Sequence, residues 1–304
     1  MDRRSFVKLT TAALITEQFL SINNARSQPN SANSPVVWEV EGITTESINE
    51  LFLKLGGITK FLPGDVSKAT VLVKPNLCLP HPAKSATTTS PMTIDVLCRV
   101  LTGFGVKRIV IADHTLQKTT DFQNIELHEV LKSHPEASLI LANEERWYLP
   151  VELNGKVLKS TSILKFIPKA DLFINLATAK HHTATHVSLC IKNLMGAIWN
   201  RSDFHTKFDL QQACGDLPLA VKPHINIIDA SRVLLNGGPT GPGQVINENR
   251  LFAGLDIVAT DSVVVSRYNF GGKGFKSQEV AHLNAAYNNG LGEIDINKIL
   301  VKKI

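Results

Sequence analysis

The sequence predicts an α/β fold with a mostly parallel sheet flanked by helices and a site at the C-terminal ends of the strands. Two observations carry that prediction. From residue 36 onward, short apolar runs alternate with segments whose apolar residues recur at helical spacing. Some of the runs, such as Thr70-Val71-Leu72-Val73, are continuous rather than alternating, which suits strands covered on both faces.

In chain order, Val36 to Val40 reads as a strand. Ser47 to Leu55 reads as a helix with Ile48, Leu51, Phe52 and Leu55 on one face, stopped by Gly56-Gly57. Thr70 to Val73 is the next strand. Pro91 to Phe104 follows as a helix, with proline in the first turn, where an amide would be unpaired anyway, and Gly105 as the stop. Arg108 to Ala112 is a strand, Glu126 to Lys132 a helix and Ser138 to Leu141 a strand. Asn154-Gly155 predicts a type I′ hairpin between Val151-Glu152-Leu153 and Lys156-Val157-Leu158, because both turn positions need positive φ. Asp171 to Asn175 and His224 to Ile228 are two more buried strands, and Asp256 to Arg267 and Ser277 to Tyr287 two more helices. Asp256 suits the start of its helix.

The chain has 304 residues, 43% apolar and 19% charged, enough for a sizeable core. Its net charge of +5 is scattered, with no basic run interleaved with aromatics, which speaks against nucleic acid as a partner. No apolar run approaches the roughly 20 residues of a membrane span. At the N-terminus, Arg3-Arg4-Ser5-Phe6-Val7-Lys8 precedes a modest apolar segment, the pattern of a twin-arginine export signal. Glu17 and Gln18 interrupt that segment and no Ala-x-Ala site follows, so a frayed N-terminal helix is the alternative. Residues 21 to 35 are small and polar, as in a linker. The expected organisation is a leader and linker over 1–34 and one α/β domain over 35–304. The twin-arginine machinery would deliver it folded to the periplasm, cleaved from its leader or anchored by it.

Cys78, Cys98, Cys190 and Cys214 are far apart and no Cys-x-x-Cys occurs. That spacing speaks against a ferredoxin-type iron–sulphur cluster, a zinc ribbon or a redox dithiol. The four read as small buried hydrophobes, with one or two disulfides left open in an oxidising compartment. No cofactor is identified by motif.

The chemistry is expected where apolar runs end. Lys74-Pro75-Asn76, Asp113-His114, Lys180-His181-His182 and Asp229 each follow such a run. Loops are polar in any case, but four such ends together point to a site outside the carboxyl edge of the sheet. Lys74, Lys180 and Lys192, if they converge, would attract a carboxylate, phosphate or other anion. Asn76, Thr185 and Asn193 would position it. His182, whose ordinary pKa lies near neutrality, is the candidate general acid or base. Asp229 or Asp113 would orient its imidazole or hold a metal. Asp261 cannot share a helix face with Asp256 and, if it points inward, needs a lysine or a metal as partner. On a helix, His182 and His186 would stand at i and i+4 and could offer two metal ligands. No acid separates them as in His-Glu-x-x-His, however, and no third ligand is nearby. Gly237 to Gly243 reads as two tight turns joined by prolines, one wall of the site.

The run Val71-Leu72-Val73-Lys74-Pro75-Asn76-Leu77 resembles the opening motif of the family called domain of unknown function 362. Lys180, His182, Thr185 and Lys192-Asn193-Leu194-Met195-Gly196 resemble its Lys-Thr-His…Thr…Lys-Asn-Leu-x-Gly motif, with His181 where threonine is usual. His205, Asp229, Gly237-Gly238-Pro239, Gly243, Asp256 and Asp261 are similar to later family positions. The resemblance spans roughly residues 70 to 272 and implies a site without naming a reaction. Many members carry an appended ferredoxin module, and its cysteine set does not occur in this sequence. The functional expectation is an exported small-molecule enzyme acting on an anionic ligand through a Lys/His/Asp site. The alternative is a non-catalytic protein that binds or delivers a metal or cofactor.

Overall fold

Strand β1 is Val36–Glu41, β2 Thr70–Pro75, β3 Arg108–Asp113, β4 Ala137–Leu141, β5 Tyr148–Glu152 and β6 Ser160–Leu164. Then come β7 Leu172–His182, β8 His186–Ser188, β9 Ile225–Leu234, β10 Val245–Gly254 and β11 Leu300–Lys303. The helices are α1 Thr45–Lys54, α2 Ile58–Phe61, α3 Pro91–Gly103, α4 Glu126–Leu131, α5 Cys190–Asn193, α6 Asp203–Thr206, α7 Leu210–Asp216, α8 Ile257–Arg267 and α9 Ala281–Asn288. These elements come from a computed structural model that describes residues 34–116 and 126–304. The leader and nearly all of the linker lie outside the described residues.

Among the described residues one mixed sheet runs in the order β11-β1-β10-β9-β7-β2-β3-β4, with β8 paired to β7. Five neighbours, β9-β7-β2-β3-β4, are mutually parallel. β10 and β8 run antiparallel to their partners. This is the expected α/β architecture. From β2 the chain steps outward through β3 to β4, then returns to the other side of β2 for β7 and β9. The crevice between the carboxyl ends of β2 and β7 is therefore the topological switch point, the place where parallel α/β sheets bind ligands.

Successive residues of a strand face opposite ways, and both faces are buried here. Val71, Val73, Ile109, Ile111, Leu172, Ile174, Ile225 and Ile227 pack with Ile48, Leu51 and Phe52 of α1 and Ile94, Leu97 and Leu101 of α3. The other face carries Leu72, Val110, Phe173 and Ile228, also buried, and its layer includes α5 and α8. α1 starts at a capping box, Ser47 N donating to Thr44 Oγ1 and Thr44 N to Ser47 Oγ. α3 begins with Pro91, as expected, and α8 is capped by Asp256, which accepts from Ala259 N at 2.8 Å.

Three expectations change. The hairpin exists, but its second arm is β6 rather than Lys156–Leu158, and the connection runs from 153 to 159. Asp216 Oδ2 accepts from both Val157 N (2.8 Å) and Leu158 N (3.0 Å), which draws those residues into the loop. Strands β7 and β9 outrun their apolar cores, so Lys180, His182 and Asp229 lie on strand extensions rather than in loops. His182 and His186 are a cross-strand pair flanking the β7–β8 turn, not an i, i+4 pair on a helix. β8, β10 and β11 are further strands; β10 contains the apolar run Leu251-Phe252-Ala253, and β11 opens on Leu300-Val301.

Candidate functional site

A row of amides crosses the switch point. In register, Lys74 of β2 lies beside Asn175 of β7, and Asn175 beside Asn226 of β9. Neighbours in register project from the same face, here toward α5. Asn175 Nδ2 donates to Asn226 Oδ1 (3.2 Å) and to Cys190 O (3.0 Å), and Asn193 Nδ2 donates to Asn175 Oδ1 (2.8 Å). Lys74 Nζ donates to Asn193 Oδ1 (3.2 Å) and to Pro75 O (2.9 Å). All of these side chains are buried, so the row fixes the α5 segment over the sheet through paired polar groups.

Lys74 is committed to Asp113. Its ammonium sits 2.7 Å from Asp113 Oδ1, both side chains being essentially inaccessible. Burial pulls the Lys74 pKa down and Asp113 opposes that pull. Asp113 Oδ2 also accepts from Leu77 N at 2.6 Å, fixing the start of the loop after β2. The expectation that Asp113 orients His182 or holds a metal is thus replaced by a structural ion pair. Gly196 is required beside it, because a Cβ there would overlap Asp113 Oδ1 and approach Lys74 Nζ to 2.7 Å. Gly196→Ala is expected to lose about 1–3 kcal/mol of stability through overpacking, measurable by urea unfolding.

Asp229 and Asp261 also bind backbone. Asp229 accepts from Ser90 N (2.7 Å) and Ser231 N (2.8 Å), tying the start of α3 to β9, so it does not orient the imidazole of His182. Asp261 Oδ1 and Oδ2 accept from Cys190 N (2.8 Å) and Ile191 N (2.9 Å) and hold the first turn of α5. Its partners are amides, not the lysine or metal expected from the sequence. Burial pushes the Asp261 carboxyl up to about 7 against those amide bonds. From about pH 4 to 7 the unfolded chain has lost this proton while the folded one keeps it. Stability attributable to Asp261 therefore falls as pH rises, by up to about 1.4 kcal/mol per unit. Asp261→Asn is expected to flatten that slope in urea titrations across this range, at the cost of one amide bond.

Lys180 and Lys192 are different from Lys74. Lys180 is 2% exposed, and its ammonium donates to the Thr87 carbonyl at 2.6 Å. Lys192 is 9% exposed and reaches the thioether of Met195 at 2.9 Å. Among the described residues neither has a carboxylate within ion-pair distance. Burial, then the nearby Lys192 and Lys74 charges, lower Lys180 to about 8, partly opposed by Cys78 and Asp113.

His182 is close to both cations. Burial first, then Lys192 and Lys180, lower it to about 3, so at neutral pH its ring is uncharged. Ala184 N donates to Nδ1 (3.2 Å), and an amide can only donate, so the ring proton is on Nε2. His182 thus offers a hydrogen-bond donor rather than a free base. Beyond Ala184 the chain of bonds continues. Gln211 Nε2 donates to Ala184 O (2.7 Å), leaving its Oε1 to face His282 Nδ1 at 3.3 Å. His282 therefore carries its proton on Nδ1, and its buried Nε2 has no partner among the described residues. Burial and then Lys192 also hold His282 at about 3.

The remaining expected residues frame this pair. Thr185 is buried in the β7–β8 turn, its hydroxyl bonded to Val187 O at 3.0 Å. Asn76 has a buried Oδ1 with no partner among the described residues, while its backbone binds Thr88 and Thr89. Gly238 abuts the His181 carbonyl, where a Cβ would clash, and Gly241 packs near Thr87, so the glycine-rich loop does line this region. His186 stacks on Phe275 with ring centroids 4.6 Å apart. Among the described residues, no group of three His, Cys, Asp or Glu side chains is placed to hold a metal.

Sequence reading missed Asn175, Asn226, Arg201, Gln211, His282 and the environment of Cys78. Asn175 and Asn226 did carry a signal, a lone amide inside an apolar strand. Arg201, Gln211 and His282 carried none, because only the folded chain brings the helices of Gln211 and His282 to α5 and sets Arg201 against Cys78, His114 and Thr115. Three cysteines are buried as expected, whereas Cys78 is half-buried and 3.9 Å from the Arg201 guanidinium. All four thiols are free.

Comparison with curated proteins and with solved structures finds no match. The family described as "Domain of unknown function (DUF362)" matches residues 71–266, which include the ends of β2, β3, β7 and β9, the α5 segment and Asp261. With more than half of its length matched by that family, the chain belongs to the DUF362 family.

Proposed function

We propose that this is an exported enzyme whose site binds a small anionic molecule between Lys180 and Lys192, with His182 donating a hydrogen bond to it. The supporting observation is the pair of buried lysines at the switch point that have no carboxylate partner among the described residues. Burying a cation without a counter-charge is costly, and a bound anion would remove that cost. The neighbouring Lys74 shows the contrast, since its charge is met internally by Asp113. A neutral imidazole locked with its proton on Nε2 suits an electrophilic role, stabilising negative charge on a ligand oxygen.

Oxalate titrated at fixed ionic strength is the test. A ligand that binds only the folded chain raises stability by about 2.7 kcal/mol at a hundredfold excess over its Kd. Stabilisation by oxalate is expected in the wild type and should vanish in the Lys180→Met/Lys192→Met variant. Equal stabilisation of the two would end the proposal. Retained ligand without turnover would instead favour a delivery protein.

Export rests on the N-terminal Arg3-Arg4-Ser5-Phe6-Val7-Lys8 pattern. In cell fractionation the full chain is expected in the periplasm and the Arg3→Lys/Arg4→Lys variant in the cytoplasm. Equal distribution of both would remove the twin-arginine route.

A further inference from the structure

Resting on the anion site proposed above, we infer that Lys180 is an amine nucleophile and that the ligand is a 2-oxo carboxylate, held as an imine on Lys180 Nζ with its carboxylate on Lys192.

Two lysines on adjacent strands are buried at the switch point, and the chain treats them oppositely. Lys74 lies 2.7 Å from Asp113 Oδ1 and donates to Asn193 Oδ1, so a counter-charge meets its ammonium and its nitrogen is occupied. Lys180 receives one neutral carbonyl, that of Thr87, and has Lys192 and Lys74 as charged neighbours. Burial beside other cations favours the free amine, which is how lysine nucleophiles are activated. With its pKa near 8, on the order of a tenth of Lys180 is free amine at pH 7. A buried lysine meant only to attract an anion gains nothing from this loss of charge.

Lys192 and Lys180 together suit a ligand with two reactive ends. Among the described residues Lys192 has a thioether against its ammonium, a weak acceptor that a carboxylate would displace. A carbonyl carbon next to that carboxylate would then lie toward Lys180. The Nε2–H of His182 is the available donor for the carbonyl oxygen.

The step balances without a further reactant. The free amine adds to the ketone carbon, forming the C–N bond. The C–O bond then breaks, and the former carbonyl oxygen leaves as water with the two amine protons. The imine nitrogen takes one proton from solvent to become an iminium. Borohydride supplies hydride to the iminium carbon and makes the linkage a permanent secondary amine.

The experiment incubates the full chain with pyruvate, adds borohydride and maps the products by peptide mass spectrometry. The adduct adds the mass of pyruvate less one oxygen atom. The expected result is modification of Lys180 above every other lysine, suppressed by excess oxalate, which shares the charge but forms no imine under these conditions. Lys180→Arg keeps the charge and should lose the adduct. If oxalate binds and Lys180 is unmodified, or modified no more than surface lysines, the imine is overturned while the anion site stands. If neither oxalate binding nor an adduct is seen, both fall.

Discussion

Asp113→Ala is expected to destabilise the folded chain by about 3–5 kcal/mol, the typical cost of leaving one member of a buried ion pair without its partner. Lys74 has no exposed surface through which water could replace the carboxylate. Leu77 N would also lose its acceptor, and the loop from Asn76 to Ser90, which carries the Thr87 carbonyl facing Lys180, would lose an anchor. Against a typical domain stability of about 5–15 kcal/mol this is a large share, visible as a lower urea midpoint with an unchanged slope. The double variant Lys74→Met/Asp113→Leu should recover most of the loss, because both charges leave together. If the single variant alone unfolds no more easily than the wild type, the pair is not the strut described.

Lys180→Met should act in the opposite direction on stability and weaken oxalate binding. The Lys180 pKa falls from 10.5 in the unfolded chain to about 8 in the folded one. Below pH 8 both states hold the proton, and the folded state bears the full cost of the buried charge, about 3 kcal/mol. As pH rises from about 8 to 10.5 the folded chain releases the proton first, so wild-type stability contributed by this group increases over that window. Methionine removes the charge and keeps most of the packing. Losing the bond to Thr87 O costs about 1 kcal/mol, leaving a net gain of about 2 kcal/mol at pH 7. Oxalate affinity should fall by about 30-fold or more, the usual effect of removing one partner of a buried charge pair. A variant that is both less stable and equally able to bind oxalate would show Lys180 to be structural. Gain of stability with loss of binding is the pattern expected where a site keeps a destabilising group for function.

The sequence by itself determined the fold class, because continuous apolar runs and helical spacing are local signals that follow from burial and backbone geometry. Val71-Leu72-Val73, Ile109-Val110-Ile111 and Phe173-Ile174 became the parallel centre of the sheet, and Pro91 and Asp256 began their helices where local chemistry requires. It also showed where charge gathers, at Lys74, Asp113, Lys180, Lys192 and Asp229. It did not reveal β10 and β11, whose burial patterns are mixed or exposed and whose pairing is decided by distant strands. Nor did it show that His182 and His186 face each other across a turn, since i, i+4 spacing fits a helix and a hairpin alike.

Only the tertiary structure decided the roles of the charged residues. Lys74, Lys180 and Lys192 are equivalent as letters, and their separation comes from Asp113, which reaches one of them and not the others. Asp229 and Asp261 bind backbone amides because the starts of α3 and α5 are brought to them by chain segments 139 and 71 residues away. The protonation of His182 likewise depends on the Ala184 amide and the Lys192 and Lys180 charges beside it. A residue's type sets what charge it can carry, but burial and the nearest opposite charge set whether that charge is neutralised within the fold or left for a ligand.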